Sequence, residues 1–172
     1  MLNLYTIDMK YIRDLHKVDD KVPSVSPQVG KAHRLFIGTV IVVNERSYCI
    51  PLSSAKPKHC DMGKRIDISK IYDSHHNLIA VLNYNQMIPV TDSQIVKYNI
   101  KVLKTDNEYW RKYKKLCEQE LRWCRKHEEE IKGKAKLLYQ MYISGQEFKA
   151  KKRCLDFLKL EEACDKYNTK LT

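Results

Sequence analysis

The strongest constraint on the fold is a change of pattern along the chain. Residues 1–99 are rich in β-branched residues and form short strand-like runs, whereas residues 100–172 carry apolar residues three and four positions apart. Strands followed by helices, rather than alternating with them, are typical of the α+β class. A chain of 172 residues can bury a sizeable core, and no Gly/Ser-rich or Pro-rich linker divides it. We therefore predict a single α+β domain over residues 1–172, with a helical C-terminal half.

The first part of the chain predicts one helix among short strands. A strand over residues 2–7 leads to Asp8, which can cap a helix whose apolar residues, from Tyr11 to Val18, follow helical spacing. Pro89 favours an edge or a bulge for the strand that contains it. The other strands are predicted as a hairpin of 35–43 with 47–52, then 65–71, 78–83 and 87–90, with a polar loop over 53–64.

The second part predicts helices. Thr105 and Glu108 have the spacing of a capping box, which marks a helix start. Gly133 is expected to break or bend this helix, Gly145 has the position of a C-terminal cap, and a last helix follows Asp156. The apolar stripe of the long helix is expected to be buried and consists of Tyr109, Trp110, Tyr113, Leu116, Cys117, Leu121, Cys124 and Ile131.

Charge narrows the class of partner. The chain has 32 Lys plus Arg against 21 Asp plus Glu, a net charge of +11. This excess favours an anionic partner, and a nucleic acid is the first candidate. No apolar run approaches the roughly 18 residues of a membrane helix, and the first residues lack the features of a secretory signal. We expect a cytoplasmic protein with no membrane partner.

The six cysteines do not have the spacing of a metal site. None forms a C-x-x-C pair, and the closest two, Cys117 and Cys124, are seven residues apart. Zinc ligands usually lie two to four residues apart, and disulfides are uncommon in the cytoplasm. We predict reduced thiols, several of them in the core, and neither a metal nor a cofactor.

The densest group of reactive side chains is the segment 53–59, Ser-Ser-Ala-Lys-Pro-Lys-His. Loops at the mouth of a sheet often carry functional residues, although an ordinary basic surface loop has the same composition. The segment suits RNA cleavage without a metal, in which the RNA 2′-hydroxyl attacks the adjacent phosphate. The enzyme then has to align the attack, disperse negative charge and move protons. Lys31 and Arg34, before the neighbouring strand, add cations.

Two other chemistries are less well supported. Ser53 to Lys56 match the S-x-x-K pattern of penicillin-binding proteins, but the S-D-N and K-T-G elements that accompany it are missing, so acyl transfer is rejected. Metal-dependent phosphoryl transfer needs clustered carboxylates, and Asp19-Asp20 is the only acidic pair in the first part. That pair is better interpreted as the end of a helix, and the adjacent His75-His76 as a turn.

Basic residues in the helical part allow two interpretations. A solvated helix face partly paired with glutamates is the usual one, and an RNA-facing surface is the other. The sharpest patch has four basic residues in five, Lys149, Lys151, Lys152 and Arg153. A non-catalytic regulator that binds RNA or DNA is therefore the alternative function, although no helix-turn-helix, RRM or zinc signature is found.

Several short blocks carry a resemblance to a known family. They are Tyr5-Thr6-Ile7, Lys10-Tyr11-Ile12, Asp19 to Pro23, Arg34 before Phe36-Ile37-Gly38, Pro51 to His59, Met87-Ile88-Pro89 and Leu160-Glu161-Glu162. In this order they resemble the type III toxin–antitoxin endoribonucleases of the ToxN/AbiQ family. The resemblance implies a twisted antiparallel sheet flanked by helices. It also implies metal-independent RNA cleavage that leaves a 2′,3′-cyclic phosphate and a 5′-hydroxyl.

The resemblance further implies inhibition by a small repeated RNA antitoxin, no required protein partner, and a role in abortive phage infection. By the same resemblance, Ser54 matches the active-site serine, and Ser53 the position where threonine also occurs. The other predicted catalytic residues are the loop lysine Lys56, the basic residue Arg34, the helix tyrosine Tyr11 and the loop histidine His59. Predicted RNA-binding residues are Lys31, Lys58, Lys149, Lys151, Lys152 and Arg153. The family's aromatic residue before Arg34 is absent, so the general base is not assigned.

Overall fold

The computed structural model describes residues 1–23 and 38–169, without the side chains of 38–40 and 42. Lys31 and Arg34, two predicted site residues, lie outside the described residues. The strands are β1 Leu4–Ile7, β2 Gly38–Val43, β3 Arg46–Ser54, β4 Ile68–Tyr72, β5 Leu78–Asn83, β6 Ile88–Val90 and β7 Ile95–Lys97. The helices are α1 Met9–Val18, α2 Pro57–Cys60, α3 Glu108–Lys126, α4 Glu128–Ile143 and α5 Phe157–Thr169.

All strand pairs are antiparallel, and the sheet has the order β4-β5-β3-β2-β1-β7, with β6 added beside β3. Pro89 lies in β6, whose described pairing is with β3 alone, so the predicted edge position is confirmed. The α+β class with an antiparallel sheet and a helical C-terminal half is likewise confirmed. None of the helices over the described residues has the length and apolar character needed to cross a membrane.

The core lies between the sheet and the helices. Tyr48 and Ile50 of β3 are fully buried, and Tyr48 makes edge-on ring contacts with Tyr139 of α4 and Phe157 of α5. Helix α3 packs against β4 and β5, whereas α1 packs against α5. All six cysteines are free in the structure and only Cys60 is exposed, so the prediction that several of them lie in the core is confirmed.

The start of α3 differs from the prediction. The N-cap is Asn107, whose side chain accepts a hydrogen bond from the backbone N–H of Trp110 at 2.9 Å. Thr105 is not the cap because a turn precedes the helix, in which Asp106 accepts a hydrogen bond from the Leu103 N–H. The expected burial of the stripe is also wrong at its first residue, since Tyr109 is 65% exposed.

The break in the long helix falls at His127 and not at Gly133. His127 leaves helical geometry at φ −112° and ψ 24°, and its ring stacks on Trp123. Gly133 lies inside α4, where the backbone continues as a regular helix. The cap at the end of α4 is confirmed, because Gly145 adopts φ +73°, a conformation that favours glycine.

Candidate active site

The end of β3 presents the predicted serines to solvent. Ser53 pairs with Val81 and Ser54 with Ala80, so β3 continues two residues beyond the predicted strand. The next residue, Ala55, donates its N–H to the Ile79 carbonyl at 3.2 Å. Because successive residues of a strand point to opposite faces, the two exposed hydroxyls lie on either side of the sheet end.

One face of the sheet carries Ser53 together with two residues that sequence reasoning missed. Asn83 Nδ2 donates to Ser53 Oγ at 2.9 Å. Lys70 pairs with Val81, and Val81 pairs with Ser53, so Lys70 and Ser53 lie in one cross-strand row on the same face. The sequence predicts a strand that contains Lys70. Only the register of β4, β5 and β3 puts Lys70 in the same cross-strand row as Ser53.

The predicted polar loop contains the one-turn helix α2. Pro57 occupies its first turn, where a missing N–H is tolerated. The backbone N–H of Lys56 donates to His59 Nδ1 at 3.0 Å, and the His59 N–H donates to the Lys56 carbonyl at 2.8 Å. Lys70 Nζ donates to the Cys60 carbonyl at 3.1 Å, which ties β4 to the end of α2.

His59 is buried and neutral. Burial lowers the pKa of its imidazole below the ordinary value of 6.5, and the ammonium groups of Lys58, Lys56 and Lys70 lower it further. Since Nδ1 accepts the hydrogen bond from Lys56, the ring proton of the neutral form is on Nε2. His59 thus lies buried in the segment that follows the exposed serines, and Lys56 and Lys58 on either side of Pro57 are exposed.

Tyr11 does not join this group. Its side chain is fully buried, its hydroxyl donates to the Pro89 carbonyl at 2.7 Å, and its ring packs edge-on against Tyr167. Burial also raises the pKa of this hydroxyl far above its usual range. In this structure Tyr11 is a core residue that joins α1 to β6 and α5, and its catalytic role stays a prediction.

The basic patch near the C-terminus is divided. Arg153 donates to Asp67, a carboxylate that also binds Arg65 and is only 1% exposed. Lys151 pairs with Glu147 at 2.6 Å. Lys149 and Lys152 are exposed. Over the described residues, two of the four cations, Lys149 and Lys152, thus have no salt bridge to a carboxylate, and RNA binding by this patch stays a prediction.

The carboxylate and histidine pairs from the sequence have structural roles. Asp19 caps α1, and its carboxylate accepts hydrogen bonds from the N–H groups of Lys21 and Asp156. His75 and His76 lie in the turn between β4 and β5, where His76 has φ +60°. Over the described ranges, no three His, Cys, Asp or Glu side chains are grouped to hold a metal ion.

The fold and this group of side chains define a class: a basic α+β protein with exposed hydroxyl and ammonium groups at one end of its sheet. Comparison with known proteins identifies the family. The model of the ToxN toxin of type III toxin–antitoxin systems matches residues 3–165. The chain belongs to this ToxN family, and the family resemblance inferred from the sequence blocks is confirmed.

Three similar proteins illustrate the range of the family. The endoribonuclease ToxN of Pectobacterium atrosepticum is 27% identical over 148 residues, covering 84% of both chains. The solved structure of AbiQ, a lactococcal anti-phage endoribonuclease, is 22% identical with a TM-score of 0.79, covering 98% of this chain and 99% of that chain. A solved type III toxin described as selectively inhibited by a non-coding RNA pseudoknot is 23% identical with a TM-score of 0.77, covering 97% and 98%. At these identities the two structures confirm the fold.

Proposed function

We propose that this type III toxin is an endoribonuclease that directs the 2′-hydroxyl of its RNA substrate onto the adjacent phosphate, without a metal ion. The products would be a 2′,3′-cyclic phosphate and a 5′-hydroxyl. The observation that carries the proposal is the pair of exposed serines at the end of β3, followed in the chain by the exposed Lys56 and Lys58, with Lys70 in the same cross-strand row as Ser53. Membership of the ToxN family supports the same reaction.

The site residues supply charge stabilisation. Ser53 and Ser54 reach a phosphate at the sheet end from its two sides and donate hydrogen bonds to different non-bridging oxygens, and Lys56 neutralises the charge that grows on these oxygens in the transition state. Removing one such donor typically lowers kcat by about 10² to 10³-fold. Arg34, outside the described residues, keeps its proposed role as a further cation.

His59 acts in this proposal as a positioning residue. Its Nδ1 is engaged by the Lys56 backbone, and three nearby ammonium groups disfavour its protonation. A neutral imidazole adds no charge at the phosphate. It holds the turn that presents Lys56, so the ammonium group reaches the phosphate in a defined geometry.

The proposed partners are both RNA. The substrate is cellular RNA, which places the toxin in the cytoplasm, and the inhibitor is a small repeated RNA that covers the serine and lysine group. The net charge of +11 and the inhibition of a related toxin by an RNA pseudoknot support this inhibitor. No protein partner is required, and the biological outcome is abortive phage infection, as the anti-phage activity of AbiQ suggests.

Expression of site variants tests the proposal. Ser54→Ala and Lys56→Ala should abolish growth arrest and RNA cleavage, whereas Ser74→Ala and Lys136→Ala, at exposed positions in a turn and on α4, should retain both. Cleavage by the wild type should persist in excess EDTA. A wild type that binds RNA, is tolerated by cells and cuts nothing would instead establish a non-catalytic regulator.

A further inference from the structure

A cavity of about 640 Å³ is lined in part by Lys70, the β4 residue in the same cross-strand row as Ser53. It runs along β4, the terminal strand of the sheet, and is closed by the segment before β4 and by the helices α3 and α4. The residues used below are Lys64, Arg65, Lys70, Tyr72, Trp123 and Lys134, all of which line it.

The cavity has an aromatic wall. Trp123 is half-buried, and one of its faces stacks on His127, with ring centroids 3.9 Å apart and an interplanar angle of 17°. Tyr72, which also lines the cavity, is 38% exposed. An indole supported on one face by a second ring is a rigid platform, and such platforms accept nucleobases because every base has a π face.

Some cations of the cavity form salt bridges with carboxylates and others do not. Arg65 is held by the buried Asp67, and Lys134 pairs with Glu130 at 3.3 Å while donating to Ser69 at 3.0 Å. Over the described residues, no salt bridge joins Lys64 or Lys70 to an acidic side chain. The positive charge that remains for a ligand therefore comes from these two lysines, at the same opening as the aromatic wall.

Lys70 connects the cavity to the catalytic group. It lies in the same cross-strand row as Ser53, two strands away, which is about 10 Å at the spacing of neighbouring strands. Its ammonium group also contacts the carbonyl of Cys60 at the end of α2. A strand of RNA whose phosphate lies at Ser53 can thus place an adjacent nucleotide in the cavity.

We propose that this cavity is a nucleotide subsite, in which one unpaired base next to the scissile phosphate stacks on Trp123 and its phosphate contacts Lys64 and Lys70. The proposal rests on the proposed endoribonuclease function and assigns its sequence preference to this cavity. Loss of base stacking should weaken substrate use about tenfold while leaving the cleavage step itself in place.

Fluorescence tests the subsite without any cleavage. The chain has two tryptophans, so Trp110→Phe leaves Trp123 as the only indole. We expect saturable quenching of this protein by a tetranucleotide made entirely of 2′-deoxynucleotides, which lacks the attacking hydroxyl. The matched protein Trp123→Phe, which retains Trp110, should show no saturable change. Lys64→Gln in the Trp110→Phe protein should weaken the quenching several-fold.

Cleavage mapping supplies the second readout. Trp123→Phe and Lys64→Gln, each in the full chain, should raise KM more than they lower kcat and should relax the base preference at one position beside the cut. Lys64 is exposed, so its replacement keeps the test valid even if the Trp123 variant folds poorly. Unchanged cut patterns together with absent quenching would overturn the subsite. A wild type that cuts no RNA, but whose Trp123 is quenched, would overturn the proposed function and leave nucleotide binding standing.

Discussion

The backbone N–H of Lys56 donates to the imidazole Nδ1 of His59, 3.0 Å away, and the His59 N–H returns a hydrogen bond to the Lys56 carbonyl. The first bond is one half of a capping box, with histidine in the third helical position where glutamate or glutamine is usual, and the Lys56 carbonyl replaces the N-cap side chain in the other half. It fixes the turn on which Lys56 is carried. The position of Lys56, the proposed catalytic cation, therefore depends on a buried, uncharged ring.

Substitution of His59 tests this dependence. Glutamine can accept the same hydrogen bond, so His59→Gln should keep most of the RNA cleavage activity. His59→Leu fills the space without accepting it and should lower kcat/KM by about 10²-fold, as a displaced catalytic group does. Steady-state cleavage of a short RNA gives kcat/KM for the two variants. Equal losses in the two variants would show that the imidazole itself takes part in the reaction.

Glu120 predicts a pH-dependent stability. Burial in α3 raises the pKa of its carboxyl from 4.5 to about 7. Between pH 4.5 and about 7 the carboxyl of Glu120 is protonated in the folded protein but ionised in the unfolded chain. The stability that this carboxyl contributes is therefore fully present below pH 4.5 and lost as the pH rises to about 7. Glu120→Gln should therefore stabilise the protein at pH 8 by on the order of 2–3 kcal/mol, and little at pH 5.

Thermal unfolding at the two pH values measures this effect. Glu118→Gln, on the exposed face of the same helix, is the matched control and should change neither Tm appreciably. If Glu120→Gln stabilised the protein equally at both pH values, ionisation of the buried carboxyl would not be the cause.

A buried carboxylate holds two tyrosines together in the core. Glu161 Oε1 accepts hydrogen bonds from the hydroxyls of Tyr48 at 2.5 Å and Tyr139 at 2.8 Å, joining α5 to β3 and α4. Glu161→Ala leaves both buried hydroxyls without this partner and should reduce the free energy of unfolding by about 3 kcal/mol. Glu162→Ala, one residue away and exposed, should change it by less than about 0.5 kcal/mol. Urea denaturation measures the free energy of unfolding of both variants. Equal losses in Glu161→Ala and Glu162→Ala would contradict a stabilising role for the Glu161 hydrogen bonds.

The divided basic patch predicts two kinds of defect. The double variant Lys149→Gln, Lys152→Gln should weaken RNA binding. It should also reduce the slope of log K against log salt concentration by about 1.4, as expected for the loss of two phosphate contacts on a single strand. Arg153→Gln should instead lower thermal stability, because it removes a partner of the buried Asp67. Binding titrations over a range of salt concentrations separate these effects. An unchanged slope in the double variant would exclude the patch from the RNA interface.

The order of strands and helices could be predicted because it depends on local periodicity. Asp8 caps α1 and Gly145 ends α4 as predicted, since a cap needs only a short side chain or a glycine at the right position. The start of α3 could not be predicted in this way. Thr105 and Asn107 are both good caps, and the turn made by Asp106 decides between them.

The candidate site was predictable only where its residues are close in sequence. Ser53, Ser54, Lys56, Lys58 and His59 lie in one segment, and the structure keeps them together. Lys70 and Asn83 join them through strand pairing, which the sequence does not specify. Conversely, helical spacing counted Tyr11 among the apolar residues of α1, but nothing in the sequence indicated that its hydroxyl bonds to the carbonyl of Pro89 in β6.

The central claim is that the RNA supplies the nucleophile and the protein supplies charge and alignment. The most direct measurement compares an RNA oligonucleotide with the same oligonucleotide carrying one 2′-deoxynucleotide on the 5′ side of the cut, both in excess EDTA with the wild-type protein. We predict that the unmodified RNA is cut to a 2′,3′-cyclic phosphate and a 5′-hydroxyl. The deoxy-substituted oligonucleotide should remain intact at the bond that follows its 2′-deoxynucleotide. Cleavage of the deoxy-substituted oligonucleotide at the same bond would contradict the central claim.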